Sequence, residues 1–195
     1  MDFVDPIRDK KKIAQIKNLL RGQRRFRDLL LFTVGVNTAL RVSDLLTLRI
    51  GHILDETGVV VSQFVLREEK TGKRHEVVIN DSIRTAFGEY LLAYPGAAAA
   101  PEHFLFFSLK PFDYTRHIDR RHVWELIATL CKEVGIAGNF GAHTLRKTWG
   151  YHARLSGVDL ALIMHKFNHS SLAITKRYLG ITDDELGEVV RRLNL

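Results

Sequence analysis

The chain has little of what marks secreted, disulfide-bonded or membrane-inserted proteins. Cys131 is the only cysteine among 195 residues, which excludes an intramolecular disulfide and a cysteine-rich zinc site. It stands among the apolar positions of a helical stretch, so we expect a buried structural thiol. The N-terminus lacks the basic-then-apolar order of a secretory signal, and no apolar run approaches the roughly 20 residues of a membrane span. These absences predict a cytoplasmic protein.

The composition is that of an ordinary globular protein with an excess of positive charge. Hydrophobic residues make up 46% and charged residues 26% of the chain, and the formal net charge is +7. The length fits one domain, or one domain with a short extension. Because each lysine or arginine that meets a phosphate releases condensed counterions, this charge favours a polyanionic partner. The charge alone does not single out nucleic acid.

Hydrophobic spacing predicts a mainly α domain that carries a small antiparallel β-sheet. A basic amphipathic helix comes first and Gly22 breaks it; a more buried helix follows over Phe26 to Val36, and a short one begins near Ser43. β-Branched and aromatic residues at 59–65 and 77–79 flank a turn at 70–73, which predicts a hairpin. Everything afterwards indicates helices, apart from a surface loop at 95–101; the predicted helices span 82–92, 120–134, 143–155, 159–167 and 183–193.

Three short segments carry residues suited to chemistry. The most informative contains His143 and Arg146, which stand three apart and so share one face of a helix. Taken alone, such a pair is an ordinary feature of a protein surface. Two further segments change that interpretation, because one upstream contains Arg41 and one downstream contains His169 and Tyr178. In one-letter code the segments read TALRVSDLL, GAHTLRKT, and FNHSSL followed by TKRYL.

In order and spacing these segments resemble the sequence boxes of the tyrosine recombinases, the phage integrase type of enzyme. The resemblance runs from about Phe26 to the C-terminus and corresponds to the catalytic domain of that family. It implies a site-specific recombinase or integrase that cleaves and rejoins double-stranded DNA through a covalent 3′-phosphotyrosyl intermediate. In the family this chemistry uses no cofactor and, as a rule, no metal. Binding to DNA would associate the protein with the nucleoid.

The resemblance assigns Arg41 and Arg146 to a clamp on the scissile phosphate, with His169 donating a further hydrogen bond. Transesterification at a phosphodiester adds negative charge to the equatorial oxygens. Fixed cations aimed at those oxygens therefore stabilise the transition state more than the ground state. Arginine suits this role because its planar fork grips two oxygens and keeps its proton.

The resemblance also assigns the proton transfers. Tyr178 is the nucleophile, and because a phenol near pKa 10 attacks poorly at neutral pH, it needs a base or nearby cations. His143 is the candidate base. Lys70, at the hairpin turn, is the candidate acid for the departing 5′ oxygen, with Lys73 on the other arm of the turn as the alternative.

Three positions near these residues support or depart from the family pattern. Asp44 occupies the acidic position after the first arginine and is expected to orient neighbouring groups, or else to be a solvated helix charge. Asn168 stands where glycine is usual; asparagine tolerates left-handed backbone, so we expect the turn before His169 to be kept. Lys147 replaces a common second histidine and is not expected to be catalytic.

The two ends of the chain carry further expectations. Residues 1–24 are predicted to form a basic helical extension and residues 25–195 the catalytic domain, without a separate core-binding domain. Cations in and near the extension could bind DNA phosphates, which positions DNA without specifying sequence; the candidates are Lys10, Lys11, Lys12, Arg24 and Arg25. The last helix begins with a capping box at Thr182 and has an apolar face. That face could pack on its own domain or, as the family implies, dock into a neighbouring protomer of a tetramer on DNA.

Two other functions are compatible with the sequence. One is a non-catalytic DNA-binding or regulatory relative, although binding alone does not require a tyrosine beside a cation clamp. The other is an enzyme that nicks and closes DNA without strand exchange, similar to a type IB topoisomerase. An accessory protein is a further possible partner. The target DNA sequence is not readable from this chain.

Overall fold

The computed structural model describes residues 4–181. Helices predominate in this range, and the two pairs of strands are short. In chain order the elements are α1 (Lys10–Gly22), α2 (Phe26–Thr38), α3 (Val42–Leu46), β1 (Gln63–Arg67), β2 (Arg74–Val78), α4 (Asp81–Ala93), β3 (Phe107–Leu109), β4 (Phe112–His117), α5 (Arg120–Glu133), α6 (Ala142–Leu155), α7 (Leu160–Lys166) and α8 (Leu172–Leu179), with 3-10 turns at Ile50–His52 and Pro95–Ala99.

Helix α2 forms the centre of the core. Every residue from Leu29 to Val34 is buried, as expected for a helix that is apolar on most of its surface. It packs against α1, α4 and α6. Helix α1 is capped by Asp9, whose side chain accepts a hydrogen bond from the backbone N–H of Lys11. Its buried residues Ile16 and Leu20 belong to the same core as α2, so the basic helix is anchored to the rest of the domain.

The predicted hairpin is present, but its first strand starts later than predicted. Strands β1 and β2 pair antiparallel, with Gln63 opposite Val78 and Arg67 opposite Arg74. Val59 and Val61 lie outside the strand, and Val60 makes only an isolated bridge. The prediction that the strand includes 59–61 is therefore wrong, because β-branched residues alone do not provide a partner strand.

A second hairpin occupies a segment for which helix was expected. Strands β3 and β4 pair antiparallel with an irregular register next to Phe107. Phe107 is fully buried and lies within 4.5 to 6.3 Å, between ring centroids, of Tyr90, Tyr94, Phe112 and Tyr114. This aromatic packing joins segments distant in the sequence, so local periodicity does not predict the second hairpin. The fold thus has two small sheets in the described range, not one.

The helices that follow agree with the predictions to within two residues where both can be compared. Helix α5 contains Cys131, which is fully buried, as predicted; burial raises the pKa of its thiol to about 12. Helix α8 was not predicted by periodicity; it is capped by the side chain of Ser171 and ends at Gly180 with φ 69°. The loop expected at 95–101 contains a 3-10 turn in which Ala97 is buried. The helix predicted over 183–193 lies outside the described residues.

Within residues 4–181, no helix has both the length and the apolar character needed to cross a bilayer.

Candidate active site

Residues from four separate segments meet where α2, α6, α7 and α8 come together. Arg41 lies at the N-terminus of α3, Arg146 on α6, His169 in the turn between α7 and α8, and Tyr178 on α8. Ala39, just after α2, has a left-handed backbone with φ 61°. This conformation ends α2 two residues before Arg41.

Arg146 joins the ends of two helices to α6. Its Nη1 donates to the carbonyl oxygen of Ala39 and its Nη2 to that of Phe167, both at 2.6 Å. The side chain is 3% exposed, and the guanidinium carbon lies 4.6 Å from the centre of the Phe167 ring. Burial lowers the pKa of Arg146 to about 10, so the group stays charged at neutral pH.

Arg41 lies beside Arg146 and faces a carboxylate. Its Nη2 is 3.5 Å from the same carbonyl oxygen of Phe167. Its Nη1 is 2.5 Å from Oε2 of Glu68 in an ion pair whose carboxylate is fully buried. The two predicted clamp arginines therefore converge on one backbone oxygen. Glu68 was not among the residues selected from the sequence, since an acidic residue near the end of a strand carries no local signal.

Tyr178 and His169 lie against each other at the edge of the arginine pair. Their ring centroids are 5.3 Å apart, and the Tyr178 ring also packs on Phe167. The Tyr178 hydroxyl oxygen is buried and forms no well-aligned hydrogen bond with any described residue. Burial raises the pKa of Tyr178, while Arg146 and then Arg41 act in the opposite direction. The ammonium of Lys147 lies 5.3 Å from the centre of the Tyr178 ring.

His169 is held in place by α8. Its Nδ1 is 3.0 Å from the hydroxyl of Thr175, which is completely buried. Burial, with Arg146 and Arg41 adding to it, lowers the pKa of His169 to about 4. The preceding Asn168 has φ 51°, which confirms the expectation that asparagine keeps the left-handed turn usually formed by glycine.

His143 lies in the first turn of α6 and is half-buried. Its Nε2 is 3.2 Å from Nη2 of Arg120; because a guanidinium can only donate, this ring nitrogen accepts. Burial lowers the pKa of His143, and Arg120 and Arg146 contribute in the same direction. The imidazole is therefore neutral at pH 7, and its acceptor nitrogen, Nε2, faces the Arg120 guanidinium.

The structure separates the two candidate lysines. Lys70 is exposed in the hairpin turn and forms no hydrogen bond or ion pair with the described residues. Lys73 reaches the backbone oxygen of Asn168 with its ammonium group, at 3.3 Å. The structure thus brings Lys73, not Lys70, to the residue that precedes His169. Both lie in the six-residue turn, Glu68 to Lys73, that joins β1 to β2.

Asp44 holds the backbone of the hairpin turn. It is 1% exposed, and its Oδ1 accepts a 2.9 Å hydrogen bond from the backbone N–H of Glu69. Burial raises the pKa of Asp44. The carboxylate therefore fixes the chain just before Lys70, and the alternative of a solvated helix charge is wrong.

The N-terminal cations divide into two groups. Lys10, Lys11 and Arg24 are exposed. Lys12 donates to the backbone oxygen of Val134, and Arg25 forms an ion pair with Asp28 at 3.0 Å. Of these five candidates, Lys10, Lys11 and Arg24 are therefore the ones whose charged groups are exposed to solvent in the described part of the chain. Among those residues there is also no group of three or more histidine, cysteine, aspartate or glutamate side chains able to hold a metal ion.

The helical fold and the site together define a class of protein. A buried phenol beside two guanidinium groups and an imidazole suits a phosphodiester, because cations match the charge of a phosphate and a phenol can act as a nucleophile. This is the class of domains that act on DNA strands through a tyrosine.

Comparison with known proteins identifies the family. The model of the phage integrase family matches residues 9–185. A probable integrase/recombinase, YoeC of Bacillus subtilis (strain 168), is 32% identical over 184 residues, which cover 94% of this chain and 93% of that protein. The chain therefore belongs to the phage integrase family, whose tyrosine recombinases break and rejoin DNA. The resemblance found in the sequence is confirmed.

Other relatives are longer than this chain. Tyrosine recombinase XerC of Caldanaerobacter subterraneus subsp. tengcongensis is 24% identical over 180 residues, which cover 91% of this chain and 48% of XerC. The crystal structure of XerH site-specific recombinase bound to palindromic difH substrate, a post-cleavage complex, superposes with a TM-score of 0.77 at 18% identity; the match covers all of this chain and 53% of that one. The similarity to XerH confirms the predicted catalytic-domain fold. This chain spans about half the length of these two relatives.

Proposed function

We propose that this chain is a site-specific recombinase or integrase that cleaves one DNA strand with Tyr178, holds it as a 3′-phosphotyrosyl link and passes it to another duplex. The observation that carries the proposal is the meeting of Arg41, Arg146, His169 and Tyr178 at one site. Only folding brings these residues together, and a structural role alone does not require a nucleophile among buried cations.

The arginines would bind the scissile phosphate. Arg146 uses two of its guanidinium nitrogens for backbone carbonyls, which fixes the plane of the fork and leaves other N–H groups for phosphate oxygens. The buried Tyr178 hydroxyl, without a well-aligned partner among the described residues, would gain one in a phosphate oxygen. Because these donors are already in place, little reorganisation is needed when negative charge builds up in the transition state.

In the proposed reaction His143 and Lys70 carry out the two proton transfers. The Tyr178 oxygen attacks phosphorus and its proton passes to neutral His143, while the bond from phosphorus to the 5′ oxygen breaks. Lys70 gives a proton to that 5′ oxygen, with Lys73 as the alternative donor. His169 contributes a hydrogen bond to a phosphate oxygen. Rejoining reverses each transfer, and the phosphotyrosyl link keeps the energy of the original bond.

The wider assembly is also part of the proposal. Duplex DNA is the partner, in line with the DNA-bound XerH structure, and acting on it would place the chain in the cytoplasm with the nucleoid. Residues 1–24 would serve as a basic extension of a catalytic domain over 25–195, with Lys10, Lys11 and Arg24 contacting phosphates away from the scissile one. A tetramer linked by the helix predicted over 183–193, with or without an accessory protein, would bring two duplexes together.

A nicked suicide duplex tests the chemistry. Duplexes with a randomised centre are incubated with the protein, and adducts that resist SDS are isolated and sequenced. We expect adducts with the wild type and none with Tyr178→Phe, whereas Tyr151→Phe, the same substitution on α6 instead of α8, keeps them. Binding without any adduct in the wild type would favour a non-catalytic relative. Relaxation of plasmid without a preferred site would favour nicking and closing, and joining of two defined sites would favour recombination.

A further inference from the structure

Glu68 is a buried carboxylate to which the family resemblance gives no role. Its side chain is fully buried at the end of β1. Oε2 lies 2.5 Å from Nη1 of Arg41 and accepts a hydrogen bond of 2.5 Å from the hydroxyl of Thr71. Oε1 lies 3.3 Å from Nδ1 of His75. One acidic group therefore contacts the arginine clamp, the turn that carries the two candidate lysines, and the second strand of the hairpin.

The charge of Glu68 is buried, and its hydrogen-bond partners keep it ionised. A buried ion pair is weak evidence for stability, because the cost of removing two charges from water offsets most of their attraction. Burial alone would raise the pKa of Glu68, yet hydrogen bonds from Thr71, Asn168 and Arg41 outweigh burial and lower the pKa to about 2. The carboxylate is thus ionised at any working pH, and its partners are concentrated around the active site.

The contacts of Glu68 join the lysine turn and the turn before His169 to the arginine clamp. Thr71 stands next to Lys70, and Asn168 stands next to His169. His75 extends the connection, because its Nε2 is 3.1 Å from the carbonyl oxygen of Thr38 at the end of α2. A rotation of the Arg41 side chain or a shift of the lysine turn would break at least one of these contacts.

We propose that Glu68 is a positioning residue for strand cleavage: it orients Arg41 towards the scissile phosphate and ties the lysine turn to the arginine clamp. This role rests on the proposed function. It has an electrostatic consequence, since the carboxylate neutralises part of the charge that Arg41 offers to a phosphate. Removing the negative charge should therefore strengthen DNA binding while it slows cleavage. A residue needed only for folding would weaken both.

The first test compares Glu68→Gln with Glu69→Gln, which removes the same charge from the exposed neighbouring residue. DNA affinity is measured by fluorescence anisotropy over a series of salt concentrations, with Tyr178→Phe added to prevent cleavage. For Glu68→Gln we expect tighter binding, with the slope of log affinity against log salt steeper by about one. Without the added Tyr178→Phe change, adduct formation should slow by roughly tenfold or more, since Arg41 loses its orientation. Glu69→Gln should change neither quantity.

The second test uses Thr71→Val, which leaves the Glu68 charge and removes only the hydroxyl that joins it to the turn. Cleavage of an ordinary duplex should slow by roughly tenfold, because the acid is less well placed. Cleavage of a duplex with a 5′-bridging sulfur, whose thiolate leaves without an acid, should keep its wild-type rate, as should DNA affinity. This variant decides the question if Glu68→Gln does not fold.

The outcomes separate this role from the proposed function. A wild type that never forms an adduct contradicts the proposed chemistry; the salt series on Glu68→Gln then still tests the pairing with Arg41, and an unchanged slope overturns it. If the wild type is active and a folded Glu68→Gln loses binding and cleavage by the same factor, the role of Glu68 is purely structural. Wild-type cleavage in both variants overturns the positioning role.

Discussion

Arg146 donates a 2.6 Å hydrogen bond to the carbonyl oxygen of Phe167, two residues before His169. The same oxygen lies 3.5 Å from Nη2 of Arg41. One backbone oxygen thus lies between both arginines and begins the turn that carries the histidine. The side chains proposed to hold the phosphate also hold the protein around it, so changes in the arginines should alter stability as well as catalysis.

Arg146→Lys is expected to lower both cleavage and stability. An ammonium group cannot reach the carbonyls of Ala39 and Phe167 together, so one buried acceptor loses its partner, at a cost of about 1–3 kcal/mol. Adduct formation should fall by roughly a hundredfold or more, because the fixed fork is lost. Urea denaturation and the suicide-duplex assay measure the two effects.

Arg121→Lys is the matched control for that change. The Arg121 side chain is 84% exposed and pairs with Glu125 one helical turn away, so stability should stay within about 0.5 kcal/mol of the wild type. Equal behaviour of the two variants would show that Arg146 does not hold the site together.

Lys70→Ala and Lys73→Ala are expected to differ in their response to the leaving group. Loss of the acid should slow cleavage of an ordinary duplex by roughly 10²- to 10⁴-fold. A 5′-bridging sulfur should restore the rate, because a thiolate departs without a proton. We expect this pattern for Lys70→Ala. The same rescue seen with Lys73→Ala alone would assign the acid to Lys73, in agreement with its contact to Asn168.

Gly150→Ala should destabilise the protein where α6 meets the turn and α8. A Cβ atom there would lie 2.5 Å from Cζ of Phe167 and 2.7 Å from Cδ2 of Leu179, which forces repacking at about 1–3 kcal/mol. Gly88→Ala is the control, since a Cβ at this exposed helical position meets no atom within 4 Å. It should raise stability by about 0.5–1 kcal/mol. Thermal unfolding measures both, and a neutral Gly150→Ala would contradict the close packing.

Stability should decrease as the pH falls from about 6.5 towards 4. The pKa of His169 is lowered by burial and by Arg146 to about 4, so in this window the unfolded chain binds more protons than the folded one. The contribution is complete above the unfolded pKa and is lost as the pH falls through the folded one. Urea midpoints at pH 7 and pH 5 should differ less for His169→Asn than for the wild type. An equal change of the urea midpoint in the two proteins would contradict this prediction.

Local patterns predicted what depends on neighbours in the sequence. Helices α5 and α6 have apolar residues at helical spacing over fourteen positions each, and the structure agrees with the prediction to within one residue at each end. Helix α8 spans eight residues, and β3 spans three, which is too short for periodicity to register. Both short elements exist because distant side chains pack against them.

The sequence by itself, through its resemblance to a known family, indicated that family and the six residues proposed for catalysis, and its periodicity predicted α6, which carries His143 and Arg146. This was possible because a chemical motif is written in order along the chain. Only the tertiary structure decided that Glu68 faces Arg41, that the Phe167 carbonyl lies between two arginines, and that Lys73 reaches Asn168. These relationships join segments far apart in sequence. They exist because burial makes an unpaired charge or carbonyl costly, so each such group takes the partner that folding brings to it.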